Sequence, residues 1–236
     1  MPRTCPKASQ IVAASFFVLL HLLVSGTKLR DSIVGRIGAG PYMGLFSLAS
    51  VAGLIWLGMA FAQSRGAAWN VAWWDLSQAT RHIQLLVQLV AMLLIVPGLT
   101  TSNPTSVSQE GSLDRPDVIK GMLRITRHPF LWGVAIWAAG HLLVNGDTAS
   151  LVLFGSMLAL ALFGTASIDA KRKRALGATW DSFAAQTSNV PFGAIAGGRQ
   201  QLRLGEIGLW RIALAVGVWA VLTLAHPLLF GVAALP

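Results

Sequence analysis

Charge is scarce in this chain. Only 11% of its 236 residues are Asp, Glu, Lys or Arg, where a soluble domain carries about 25%. So little polar surface cannot coat a water-soluble particle of this size, and the alternative solvent is lipid. The apolar side of the balance agrees, with 54% hydrophobic residues and a mean hydropathy of +0.63. Cysteine is nearly missing too. Cys5 is the one present, which excludes a disulfide framework and a Cys-based zinc site within one chain. Cys5 follows Pro2, Arg3 and Thr4, which do not form a clear lipobox. Acidic residues are few, 9 against 18 Lys+Arg, for a net charge of +9. That excess does not point to nucleic acid, because the cations sit in short loops between apolar runs. They read as topological signals that meet anionic lipid headgroups. The chain has no internal repeat and no low-complexity tract.

What is there is a series of six apolar runs, at roughly 10–26, 43–63, 83–100, 128–145, 150–168 and 208–233. A helix needs about 20 residues, within a range near 17–25, to cross the hydrocarbon core. All six qualify, with 83–100 and 128–145 at the short end. The expected fold is therefore all-α: a polytopic transmembrane bundle of about six helices, forming one domain over residues 1–236. The first 26 residues also have the outline of a signal peptide, with Arg3 and Lys7 before an apolar run. Against that, the run contains His21 and ends on no convincing small-x-small site.

The loops differ sharply in charge. Loop 1–2 carries Lys28, Arg30 and Arg36, and loop 3–4 carries Arg115, Lys120, Arg124 and Arg127. Loop 5–6 and its flanks carry Lys171, Arg172, Lys173, Arg174, Arg199, Arg203 and Arg211. That makes fourteen cations, against four on the other side: Arg3, Lys7, Arg65 and Arg81. Cations favour the cytoplasmic side, so the odd loops are expected there and both termini outside, in a multi-pass protein of a bacterial inner membrane. Trp69, Trp73 and Trp74 in the extracytoplasmic segment 64–80 read as an interfacial belt. Loop 3–4 is polar through 100–108 and carries Glu110, Asp114 and Asp117. Loop 5–6 predicts a cytoplasmic helix over 170–186 and a turn at Val190–Pro191.

Five histidines, His21, His82, His128, His141 and His226, lie in or beside apolar segments. Ionisable groups at membrane depth must find partners and are functional candidates, although a lone histidine often only bonds a neighbouring helix. Buried neutral imidazoles serve haem ligation or a transition-metal site. Haem fits better, because no Asp, Glu or Cys lies inside any apolar run to complete a metal set. Separately, Pro129 suits the first turn of a helix. That puts Arg127 and His128 at the cytoplasmic mouth of helix 4, either as an anion-favouring site or as a cap with a snorkelling arginine.

The order of motifs along the chain resembles the NnrU family, which includes the 15-cis-zeta-carotene isomerases of plants and cyanobacteria. The likeness is carried by Ile125-Thr-Arg-His-Pro129, Trp132-Gly133, Trp137-x-x-x-His141 and Asn145-Gly-Asp147. It continues in His21 before Lys28-Leu-Arg-Asp31, in Asp169 with the basic run after it, in Gly177, Phe183 and Val190-Pro191-Phe192, and in Ala225-His226-Pro227. The resemblance implies haem b and isomerisation of a linear carotenoid without net redox, with an apolar polyene entering from lipid. It also implies a redox partner that the sequence does not identify. The family's ligand histidines match His21 and His141. Arg127 and His128, with Asp169, are expected to form a cytoplasmic polar cluster that pairs internally or meets the haem propionates.

By a rise of about 1.5 Å per residue, His21 lies roughly 10 Å and His141 roughly 20 Å from the cytoplasmic face. His82 or His226, near the outer face, is then an alternative partner. The sequence departs from the plant isomerases at Ala138, where they carry a cysteine, and over Ala159–Gly164, where they carry a histidine. Two other readings stay open. One is a non-catalytic haem protein linked to denitrification and nitric oxide reductase expression. The other is an S-adenosylmethionine-dependent membrane methyltransferase, whose acidic pair would stand at Asp169-Ala-Lys.

Overall fold

A computed structural model gives the fold and describes residues 5–107, 109–115 and 117–235. Arg3 and Ser108, counted above among the outer cations and the polar loop, lie outside them. The architecture is all-α. In chain order the elements are α1 (Pro6–Leu19), a π-helical turn (Leu20–Ser25), α2 (Lys28–Ile37), α3 (Ala39–Ser64), β1 (Ala72–Trp74) and α4 (Ser77–Thr100). There follow α5 (Met122–Ile125), α6 (Pro129–Val144), β2 (Gly146–Asp147), α7 (Thr148–Leu176), α8 (Ala178–Gln186), α9 (Gly193–Ala196), α10 (Leu209–Leu224) and α11 (His226–Phe230).

Four stretches, Pro6–Ser25, Ala39–Ser64, Thr80–Thr100 and Thr148–Leu176, are long and apolar enough to cross a membrane. α6 and α10 are shorter apolar helices of 16 residues each, or about 24 Å at 1.5 Å per residue. The six expected segments are thus all helical, and large apolar side chains such as Leu48, Leu86, Leu209 and Leu228 point outward as lipid contacts do. The structure departs from expectation in three places. The run 208–233 is two helices, because Pro227 opens α11 and cannot continue α10. The expected cytoplasmic helix 170–186 is the end of α7 plus α8, broken where Gly177 takes φ 52°. Segment 64–80 contributes a short strand, β1, that pairs antiparallel with β2.

The chain packs as two compact units. One holds the residues through Thr80 together with Ala138–Ser167, and the other Arg81–Trp137 together with the residues from Ile168 on. In the first, α1 runs parallel to α7. Gln10, fully buried, donates through Nε2 to the Ala149 carbonyl at 2.8 Å. Further along, a Cβ on Gly26 would come within 2.4 Å of the Ser167 hydroxyl. The α6–α7 corner explains the Asn-Gly-Asp motif. Asn145 bonds the His141 carbonyl through both its backbone and side-chain amides. Gly146 leaves room for Trp74, whose indole N–H caps the Leu142 and Leu143 carbonyls. Asp147 accepts from the amide and hydroxyl of Ser150, an N-cap for α7.

In the second unit α4 and α6 approach closely through glycines. A Cβ on Gly133 would meet the Ile95 side chain at 2.6 Å and the Ala91 carbonyl at 2.9 Å, and one on Gly98 would meet the Phe130 amide at 2.7 Å. Three apolar clusters fill the rest. They centre on Met92, Val96 and Ala215, on Met122, Ile125 and Ile207, and on Leu123, Trp180 and Phe183.

Candidate functional site

The Arg-His-Pro motif opens α6 in the second unit, and its polar side chains converge on one carboxylate. Asp169 accepts from Arg127 Nε and Nη2, the latter at 2.6 Å, from His128 Nε2 at 2.7 Å and from Asn189 Nδ2 at 3.1 Å. The surrounding backbone locks the motif in place. The Arg127 carbonyl accepts from Asn103 and Thr105, and its amide donates to Ser188. The Asn189 carbonyl accepts from the Thr126 hydroxyl and the Trp132 indole. The Arg127 guanidinium also lies 6.0 Å from the Trp180 ring centre.

Because an ionised carboxylate only accepts, His128 carries its proton on Nε2. Burial holds the imidazole below its ordinary pKa, against the pull of Asp169 toward the charged form. The ring is therefore neutral, 2% exposed, with Nδ1 buried and without a hydrogen-bond partner. The expected cluster of Arg127, His128 and Asp169 is present, and its cation is consumed internally.

Two further arginine–carboxylate pairs brace the same unit. Arg124 forks onto Glu206 at 2.7 and 3.0 Å and reaches Gln200. That bonding, against a small burial penalty, lowers the Glu206 pKa to about 2. Arg172, 5% exposed, bonds Glu110 and the Ser106 carbonyl. Sequence reading missed Asn189, Glu206 and Glu110 as partners. The one signal was that buried arginines require carboxylates, and the carboxylates they use stand 82 residues from Arg124 and 62 from Arg172.

The first unit contains His21 and His141. His21 lies in the π-helical turn, a feature frequent at functional positions. Its Nδ1 donates to the Phe17 carbonyl at 2.8 Å. A carbonyl cannot donate, so the tautomer is fixed and the lone pair sits on Nε2, the arrangement that metal-ligating histidines use. The ring packs on Phe17 at 4.5 Å and edge-on to Phe46 at 5.1 Å. His141, near the end of α6, stacks on Phe154 at 4.7 Å. Counting from the Gln10–Ala149 contact, His21 is 11 residues along α1 and Phe154 is 5 along α7. The two histidines thus differ in level by roughly 10 Å, the same offset that the sequence implies.

The other candidates belong to the second unit. His82 is exposed on α4. His226 donates from Nδ1 to the Val232 carbonyl at 2.8 Å and packs on Phe230. Among the described residues no three His, Cys, Asp or Glu side chains gather as a metal site. An imidazole whose Nε2 lone pair is available, as in His21, is the kind of donor that haem iron takes.

Comparison with known proteins gives one family. The model described as NnrU protein matches residues 10–234. The chain is 34% identical over 120 residues to a 15-cis-zeta-carotene isomerase, chloroplastic, of Arabidopsis thaliana, covering 47% of this chain and 31% of that protein. It is 34% identical over 82 residues to the protein of the same name from Zea mays, covering 35% of this chain and 22% of that one. The chain thus spans less than a third of the length of these curated relatives. No solved structure matches it significantly.

Proposed function

The chain belongs to the NnrU protein family, and from that membership we propose that it is a membrane-embedded cis–trans isomerase of a linear carotenoid that works with haem b. The observation that carries this reading is His21. It is a single-tautomer imidazole with a free Nε2 lone pair, in a membrane-spanning segment, walled by Phe17 and Phe46. Two relatives named for 15-cis-zeta-carotene isomerisation supply the substrate class.

His21 and His141 would hold the haem. Haem b, when bound, supplies an iron that can engage a polyene and lower the barrier to rotation about a double bond. The chain's own residues do the rest. The Phe17 carbonyl orients His21, while Phe46 and Phe154 give flat apolar walls. The lipid-facing surface admits an apolar substrate and excludes water. We assign the basic odd loops to the cytoplasm of a bacterial inner membrane, where a soluble reductant could reach the protein.

The denitrification-linked alternative uses the same haem and differs in turnover. The methyltransferase alternative is disfavoured by Asp169. A cofactor-cradling acidic pair would need a second carboxylate, and this one already accepts from Arg127, His128 and Asn189.

The test is an absorption spectrum of the detergent-purified protein, oxidised and then dithionite-reduced, followed by incubation with 15-cis-zeta-carotene and chromatography of the isomers. A Soret band lost in His21→Ala, with trans product formed only after reduction, is the expected result. Haem without turnover would make the chain a haem-binding accessory protein. A flat visible spectrum after haem supplementation would end both haem readings.

A further inference from the structure

Tyr42 is the only tyrosine in the chain, and it sits one turn into α3 at 5% exposure. Its hydroxyl is buried and has no hydrogen-bond partner. A tyrosine in that setting ordinarily finds one, since an unsatisfied buried donor is destabilising. A phenylalanine would fill the same space without that penalty, so the hydroxyl points to a ligand.

Its neighbours say which kind. The Tyr42 ring stacks on Phe46 at 5.9 Å, and Phe46 meets the His21 ring at 5.1 Å. The Arg30 guanidinium lies over the same Tyr42 ring, 5.6 Å from its centre. An aromatic column therefore runs from a metal-competent imidazole to a cation. Arg30 has only an exposed ion pair with Asp31 at 3.2 Å, a weak competitor in water. The N-terminal end of α3, a helix of 26 residues, adds its positive dipole end beside Tyr42. Three features that favour an anion stand at one end of this column, and His21 stands at the other.

We propose that Arg30 and Tyr42 receive the carboxylate edge of the haem whose iron His21 ligates. This inference rests on the haem reading above and adds the residues that fix the orientation of the macrocycle. The ligand class is a flat apolar ring with a metal-ligating centre and an anionic rim. The expectation that Arg127 and His128 take the propionates gives way here, because both are bonded to Asp169. Reaching the Tyr42 hydroxyl requires Arg30 to swing outward from the ring face. α2, which carries it, buries none of its residues, so the Arg30 side chain has solvent to swing into.

The experiment compares protohaem with its dimethyl ester, which keeps the iron and ring but has no carboxylates. Both are titrated by Soret absorbance into the full chain in phosphatidylcholine nanodiscs. The wild type, Tyr42→Phe, Arg30→Gln and the double variant are compared. The wild type should prefer protohaem by about tenfold or more, the effect of one good charge-assisted hydrogen bond. Either single variant should cut that preference several-fold, and the double variant should bind the two haems alike. Tyr42→Phe keeps the aromatic stack, so a folding defect does not imitate this result. Protohaem and ester bound alike by the wild type, or a preference untouched by the variants, would overturn the inference and leave the haem reading standing. A wild type that binds neither would overturn both. A dependence on Arg30 and Tyr42 that appears only in discs of anionic phospholipid would also overturn it and assign the pair to headgroups.

Discussion

The two units of this protein treat polar side chains in opposite ways. In the second unit, polar groups are numerous and answer one another. One carboxylate, Asp169, serves Arg127, His128 and Asn189, and Arg124 and Arg172 each hold a carboxylate of their own. In the first unit the hydrogen-bonded side chains gather at the α6–α7 corner, where Asn145, Asp147, Ser150 and Trp74 are paired, and away from it they stand singly. His21 bonds only backward to its own helix, Gln10 leaves its carbonyl oxygen buried without a partner, and the Tyr42 hydroxyl has none. A network that satisfies itself rigidifies a fold. Side chains left with free lone pairs or donors in an apolar setting are where ligands are to be sought. Orphaned atoms occur in both units, His128 Nδ1 and the Arg172 and Arg211 Nε among them, and it is the proposed haem reading that directs the chemistry to the first.

The largest way to break that comparison is Asp169→Ala. It leaves the Arg127 cation without its counter-ion and the His128 N–H and Asn189 amide without an acceptor. Removing one partner of a mostly buried ion pair costs about 3–5 kcal/mol, so thermal unfolding in detergent should drop sharply, while any folded fraction still shows a Soret band. Full stability together with a lost haem spectrum would move the chemistry into the second unit. Next is Gly133→Ala. Its new methyl meets Ile95 and the Ala91 carbonyl at 2.6 and 2.9 Å, an overpacking of roughly 1–3 kcal/mol that also reads out as a lower unfolding temperature. Gln10→Leu, the counterpart in the first unit, removes one bond to a carbonyl and one orphaned oxygen together. Its effect should stay within about 1 kcal/mol, and a larger loss would mean that the first unit also depends on its polar pairs.

Much of this division was legible in the sequence, because its causes are local. All six apolar runs are helical, the last as two helices, and Pro129 after Arg127-His128 marks where α6 begins. The prediction that Arg127, His128 and Asp169 gather held, although 41 residues separate His128 from Asp169. It came from the family's motif order and not from spacing. What was hidden depended on packing. Nothing in the run 20–25 announces a π-turn, and Gly26 reads as an ordinary loop glycine until Ser167 is found against it. Arg30 reads as a topological cation, and Tyr42 carries no signal in the sequence. Only their stacking on Phe46 connects them to His21. The break of the last segment at Pro227 was readable and was passed over, because a long apolar run outweighs one proline in a hydropathy reading.

The smallest effects are those of pH on the second unit. His128 is held neutral by burial, its pKa below the ordinary 6.5 despite Asp169. As pH falls past 6.5 the unfolded chain takes up that proton first, so stability declines from there downward. Glu206 has a folded pKa of about 2 against 4.5, through its bonds to Arg124. Its contribution is complete above 4.5 and is lost as pH falls from 4.5 toward 2. Glu110, lowered by Arg172 against the opposing effect of burial, joins that second window. Both steps have the same sign and both lie in the second unit, so acid should loosen it in two stages. Unfolding midpoints in mixed detergent, followed by tryptophan fluorescence from pH 8 to 3, should show the two declines. His128→Gln should shrink the upper one and Glu206→Gln the lower. A Soret band that holds its position through the first stage would keep haem ligation in the first unit, apart from the network that acid dismantles. A band that shifts with His128 titration, and stops shifting in His128→Gln, would tie that histidine to the iron and erase the contrast between the units.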